Sequence, residues 1–278
     1  MAPNHVATER TVDQAVPDVS TYLSEHGGSI RDLALLTDLD GDGLVGIGET
    51  VPEMFVPGTD VVRASVLATY ADIVAGKFAN SKFAPSICVT LDLDLHLVRS
   101  PAGDGFRPGD GIRVRSSVVR AGRRIVVMGF DIATAAGVRV GFGHAGFMAS
   151  PNPDHIVPNG FDLVSTEVEP GRLAAPFAER AGVVRLGGGR AELPYRLDNI
   201  NATGALQGGL LALCAEEAVL DAQPDREIAS LGIRYLRGFR RTSALAEGTI
   251  EGDVARVDLV NETGELGAVV VASLRARP

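Results

Sequence analysis

The chain has 278 residues, enough for about two domains, and 45% of them are apolar, so each domain can bury a core. Its 35 acidic against 26 basic residues give a net charge of -9, and no Lys/Arg run with interleaved aromatics exists to track a phosphate backbone, so nucleic acid is not an expected partner. Cys88 and Cys214 lie in apolar stretches without CxxC or Cys/His spacing, which argues against a disulfide framework or a structural zinc and suits a reducing cytoplasm.

Residues 1–30 read as a polar N-terminal arm with one short helix around 19–25. The arm lacks a basic stretch followed by an apolar one, and no later segment approaches the roughly 20 apolar residues that span a bilayer, so neither secretion nor membrane insertion is expected. Asp38, Asp40, Asp42, Gly43 and Glu49 match the spacing of a calcium-binding EF-hand loop. Val51-Pro52 follow at once and leave no room for the exiting helix, so the stretch reads as a tight acidic turn.

The segment DVVRASVLATYADIVAGKF (60–78) is apolar on nearly every face, the pattern of a helix buried all round. Four strand-like segments follow, ICVTLDLDLHLV, GIRVRSSVVR, RRIVVMGFDIAT and VRVGFGHAGFMA, separated by glycine-containing turns. SPNPDHIVPNG (150–160) reads as a linker and GRLAAPFAERAG (171–182) as a short helix. A second buried helix, TGALQGGLLALCAEEAVLD (203–221), then precedes ASLGIRYLRGF, ALAEGTIEGDVARVDLVN and ELGAVVVASLRA. Placing Asp72 on Glu216, an offset of 216 − 72 = 144, also superposes Ala71 on Ala215, Ala68 on Ala212 and Leu67 on Leu211. One pattern of helix and antiparallel strands is therefore written twice.

Asn201-Ala-Thr-Gly-Ala-Leu-Gln-Gly-Gly209, running into an apolar helix with an acid at Glu216, resembles the hotdog acyl-CoA thioesterases of the PaaI-like and 4-hydroxybenzoyl-CoA thioesterase type. In those the pattern is Asn, then His-Gly-Gly, then Asp or Glu about two turns further on. VVRASVLATYAD, TLDLDLHLV and VVRAGRR in the first half are similar to a sibling copy. Two departures stand out: Gln207 replaces the frequent His, and Arg63-Ala64-Ser65 replaces Gly-Gly in the first copy. The resemblance implies an α+β fold of two tandem hotdog units, each a central helix wrapped by a curved antiparallel sheet, with an arm at 1–30, units at 31–150 and 171–278 and a linker at 151–170. It also implies an acyl-CoA substrate and, since hotdog sheets often associate, a homo-oligomer by default.

Thioester hydrolysis needs a polarised carbonyl and an activated water or carboxylate nucleophile. Gly208 and Gly209 fall in the first turn of the second helix, where free N–H groups and the helix dipole favour a developing oxyanion and the missing Cβ lets a substrate approach. Gln207 and Asn201 have donors and acceptors to orient a carbonyl or water. Asp72 and Glu216 stand where burial demands a reason for a charge. The resemblance implies that each helix N-terminus faces the other copy's carboxylate, so Gly208/Gly209 with Asp72 is the preferred site, and Glu216 with Arg63, Ala64 and Ser65 an unequal second one. It also implies water-positioning hydroxyls at Thr90 and Ser230, which occupy matching places near the starts of the strands after the helices, while Arg120, Arg123 and Arg124 suit coenzyme A phosphates.

Two other activities stay open: a non-catalytic acyl-CoA-binding or regulatory module, motivated by Gln207 and Arg63-Ala64-Ser65, and an enoyl-CoA hydratase, whose Asn-Pro-x-His motif Asn152-Pro153-Asp154-His155 resembles. The hydratase reading lacks its flanking acidic residues, since Val157 stands where one belongs. The five histidines show no clustered metal spacing, and neither a GxSxG elbow nor a Walker loop is present, so no cofactor is expected.

Overall fold

The computed structural model describes residues 28–100, 105–156, 162–165 and 173–277. The helix expected at 19–25 lies outside them. Twelve strands form one antiparallel sheet: β1 (Leu36–Asp40), β2 (Gly43–Glu49), β3 (Cys88–Leu97), β4 (Gly111–Ala121), β5 (Ile125–Thr134), β6 (Arg139–Ala149), β7 (Val184–Arg185), β8 (Arg190–Leu193), β9 (Arg226–Tyr235), β10 (Ala244–Glu251), β11 (Val254–Val260) and β12 (Leu266–Ala276). Their order, β1-β2-β4-β5-β6-β3-β9-β12-β11-β10-β8-β7, places the first six strands in sequence on one side of the β3/β9 seam and the last six on the other. The α-helices among the described residues are α1 (Ala64–Phe83), α2 (Phe177–Ala181) and α3 (Gly208–Ala222), with α1 and α3 packed on each other and each covered mainly by its own half's strands. An apolar helix without a wet face is stable only with such cover, and one continuous core results.

The four strand-like segments of the first half coincide with β3 to β6, and the short helix at 171–182 is α2. Helix bounds differ. The first helix begins at Ala64, not residue 60, and continues to Phe83. The second begins only at Gly208, because Thr203 and Ala205 turn back on Asn201 instead of entering the helix. The acidic segment at 38–49 is a β-hairpin whose two-residue turn places Gly41 at φ 62°, as primed hairpin turns require. Asp40 and Asp42 there pair with Arg115 at 3.0 and 3.2 Å.

The linker is not detached. Ile87 N–H donates to His155 O, and Ser165 pairs with Thr37 on β1. Ser29 bonds Asp198 and Asn199 while Arg180 pairs with Asp32 at 2.6 Å, tying the approach to β1 onto the second half.

Register irregularities give the residue equivalences across the seam. The ladder skips Leu91 in β3 and Ala229 in β9. Matching these bulges makes Thr90 equivalent to Ile228, Asp92 to Ser230 and Leu97 to Tyr235. The sequence expectation that Thr90 and Ser230 match is therefore corrected: the first helix runs on to Phe83 whereas the second stops at Ala222, so strands and helices repeat at different offsets.

Candidate active site

The two central helices have contrasting N-termini. At the start of α1, Glu216 of α3 accepts the Ala64 N–H at 2.9 Å and the Ser65 hydroxyl at 2.5 Å. Arg63 lies between Glu216 and Glu217, bonded closely to the latter, and Arg185 holds the other Glu217 oxygen at 2.6 Å. Arg63, Glu216 and Glu217 are 1%, 3% and 5% exposed. Burial pushes the Glu216 carboxyl above its ordinary range against the pull of Arg63, whereas for Glu217 the opposing burial is overcome by Arg63 and Arg185, which hold it low. A cavity of only about 10 Å³ remains beside Ala64, Glu216 and Ile228, room for roughly one water. This end is closed by the protein's own carboxylate.

The start of α3 is different. Gln207 caps the helix by accepting the Gly208 N–H at 2.9 Å, and the Gly209 N–H carries no hydrogen bond among the described residues. The glycines have a packing reason that the sequence reading did not supply. A Cβ at Gly209 would run into the Thr69 hydroxyl of α1, and one at Gly208 would stand 2.8 Å from the Tyr235 hydroxyl. Their Cβ sides are thus filled by the protein's own side chains, not left open to a substrate, and any ligand approach is to the N–H side.

Asp72 lies on α1 one turn beyond Thr69. It is half-buried and accepts the Thr90 hydroxyl at 2.9 Å. Burial pushes its carboxyl up to about 6, with the Thr90 bond opposing the shift. Its charge reaches Tyr235, whose phenol burial already pushes well above its usual range, and also Cys88. Asp72, Thr90, Tyr235, Gly208, Gly209 and Gln207 therefore converge from both halves on one end of α3.

The remaining candidates separate. Asn201 spends its side-chain oxygen on Thr203 N–H at 2.9 Å, the Thr203 hydroxyl at 2.7 Å and Ala205 N–H at 3.3 Å, so it shapes the loop before α3 instead of orienting a carbonyl. Ser230 sits on the seam opposite His96. Arg120, Arg123 and Arg124 lie exposed at the β4/β5 hairpin, on the same sheet end as Thr90 through the row Thr90, Phe147, Val126, Ala121. Three strand spacings place that turn roughly 14 Å across the sheet. Sequence reasoning missed Tyr235, Thr69, Glu217 and Arg185. Only Glu217 carried a signal, as a second acid in a helix with no polar face.

No family model and no curated protein matches the sequence. Solved structures do match. An acyl-ACP thioesterase from Bacteroides thetaiotaomicron superposes with a TM-score of 0.58 at 14% identity, covering 83% of this chain and 97% of that one. A 12:0-ACP thioesterase from Umbellularia californica gives 0.59 at 13% identity over 86% and 100%. A conserved protein from Alicyclobacillus acidocaldarius, described as having a hot dog fold, gives 0.57 at 13% identity over 89% and 98%. Likeness of this extent across nearly whole chains shows that the protein has the hot dog fold.

Proposed function

We propose that the chain is a tandem pair of hotdog units, 31–150 and 171–278 joined by 151–170, that hydrolyses an acyl-CoA thioester at the α3 N-terminus. The observation that carries the reading is the crossing of the central helices. Thr69 against Gly209 brings the turn of α1 bearing Asp72 toward the one first-turn N–H of α3 that lacks a partner among the described residues. A carboxyl held near 6 is an effective base at neutral pH because enough of it is ionised while it still takes a proton readily. Asp72 removes a proton from water, with Thr90 fixing its orientation, and the water oxygen bonds to the thioester carbon. The carbonyl electrons move onto oxygen facing the Gly209 N–H, then return as the carbon–sulfur bond breaks. The departing thiolate takes the proton from Asp72, leaving carboxylic acid and thiol. Direct attack by Asp72, through an anhydride that water then opens, gives the same products. The names of two fold neighbours, both acyl-ACP thioesterases, support the thioester class.

The α1 N-terminus takes no part, because Glu216 occupies the donors a substrate oxygen would need. One working site per chain results. Arg120, Arg123 and Arg124 would meet the phosphates at the far end of a coenzyme A arm. A panel of acyl-CoA and acyl-ACP thioesters with detection of the liberated thiol tests the reading. Thiol release is expected. A rise in melting temperature without release would leave a binding module, and loss of enoyl absorbance without thiol would leave a hydratase.

A further inference from the structure

We propose that the Tyr235 hydroxyl is the second hydrogen-bond donor to the substrate carbonyl oxygen, acting with the Gly209 N–H; this rests on the thioesterase reading above. Tyr235 ends β9, and its ring lies along the first turn of α3, as the 2.8 and 3.0 Å from a Gly208 Cβ to its hydroxyl oxygen and Cζ require.

Its hydroxyl makes no hydrogen bond among the described residues. Tyr70 and Tyr195 behave otherwise, donating to Leu33 O at 2.8 Å and to Gly204 O at 3.0 Å. Tyr235 is only partly buried, so its hydroxyl, without a protein partner at the first turn of α3, is open to an arriving acceptor. The fold itself does not require the hydroxyl. Leu97 fills the equivalent position at the end of β3 and is buried there without a polar atom. The Asp72 charge also disfavours the phenolate, which keeps the group a donor throughout the range in which the carboxylate works as a base. Gln207 already takes the Gly208 N–H, so without Tyr235 the developing oxyanion would have a single donor at this turn.

The test is Tyr235→Phe, which keeps the ring that packs on Gly208, with Tyr235→Leu, the side chain the first half uses, as a second variant. Removal of one oxyanion donor lowers kcat on the order of 10²-fold. That loss is expected for both variants, with KM and melting temperature little changed. A coenzyme A ketone analogue, with CH2 in place of the thioester sulfur, is expected to bind about tenfold more weakly to Tyr235→Phe, roughly the loss of one hydrogen bond. A thioether analogue without the carbonyl should bind wild type and variant equally. Wild-type kcat and unaltered ketone affinity in Tyr235→Phe, with Asp72→Asn inactive, would overturn the role of Tyr235 and leave the thioesterase intact. Absence of thiol release from the wild-type protein would overturn both.

Discussion

Glu216 accepts the N–H of Ala64 at 2.9 Å, so the side chain of one central helix closes the first turn of the other. Its counterpart, Asp72, is one methylene shorter and bonds Thr90 instead of the opposite helix. A carboxylate resting on a helix N-terminus is stabilised by the same N–H groups and dipole that would stabilise an oxyanion. The closed end thus displays, inside the same molecule, the kind of group the open end is suited to receive.

Replacing Asp72 by Asn keeps the bond from Thr90 but removes the base. Turnover should fall on the order of 10²-fold or more, the usual contribution of general base catalysis. Thiol release at saturating acyl-CoA measures it. Glu216→Gln should leave kcat within a few-fold, and equal small effects of the two changes would contradict the unequal roles.

The acid limb of the kcat/KM profile should lie near pH 6 with unit slope, since Asp72 must be ionised and its carboxyl is pushed up to about 6. Thr90→Val removes the bond that lowers this value, so the limb should move to higher pH. The linked effect on stability has a definite sign. A carboxyl whose folded value is raised contributes most below its ordinary value of 3.8, and that contribution is lost as pH rises through about 6. Asp72→Asn should therefore be more stable than wild type at pH 8, by up to about 3 kcal/mol, and the advantage should vanish near pH 4. Denaturant titrations at the two pH values settle it.

Arg63→Met strands Glu216 and Glu217 in the interior without their shared cation. Breaking a buried pair in this way costs about 3–5 kcal/mol, which denaturant titration will register. The kcat of the folded fraction should be unchanged, because Arg63 belongs to the closed end.

Gly209→Ala forces α1 and α3 apart at Thr69. Overpacking of this kind costs about 1–3 kcal/mol. A double-mutant cycle with Thr69→Gly should recover part of that loss in unfolding free energy, whereas additive losses would mean that the two residues do not limit the helix spacing.

Much of the architecture was legible in the chain because it rests on local pattern. Two helices with no wet face, glycine-punctuated alternating strands and the Asp72/Glu216 offset are properties of short segments, and burial follows from them directly. The contact of Glu216 with the start of the first helix was legible only through the repeat and the family resemblance. Other features belong to tertiary structure alone. The tight turn read at 38–49 is the Gly41 turn, and what the tertiary structure added is the β1/β2 ladder on either side of it. The longer first helix, running to Phe83 where its counterpart stops at Ala222, moved the strands to a different offset and left Ser230 level with Asp92, not Thr90. Tyr235 reaches Gly208, Thr69 reaches Gly209 and Arg63 reaches Glu217 only after the helices cross and the sheet closes around them. Sequence dictates which faces must be hidden from water, a one-dimensional property; which polar atoms then meet depends on the angle and register at which those faces pack, and these are fixed jointly by residues more than a hundred positions apart.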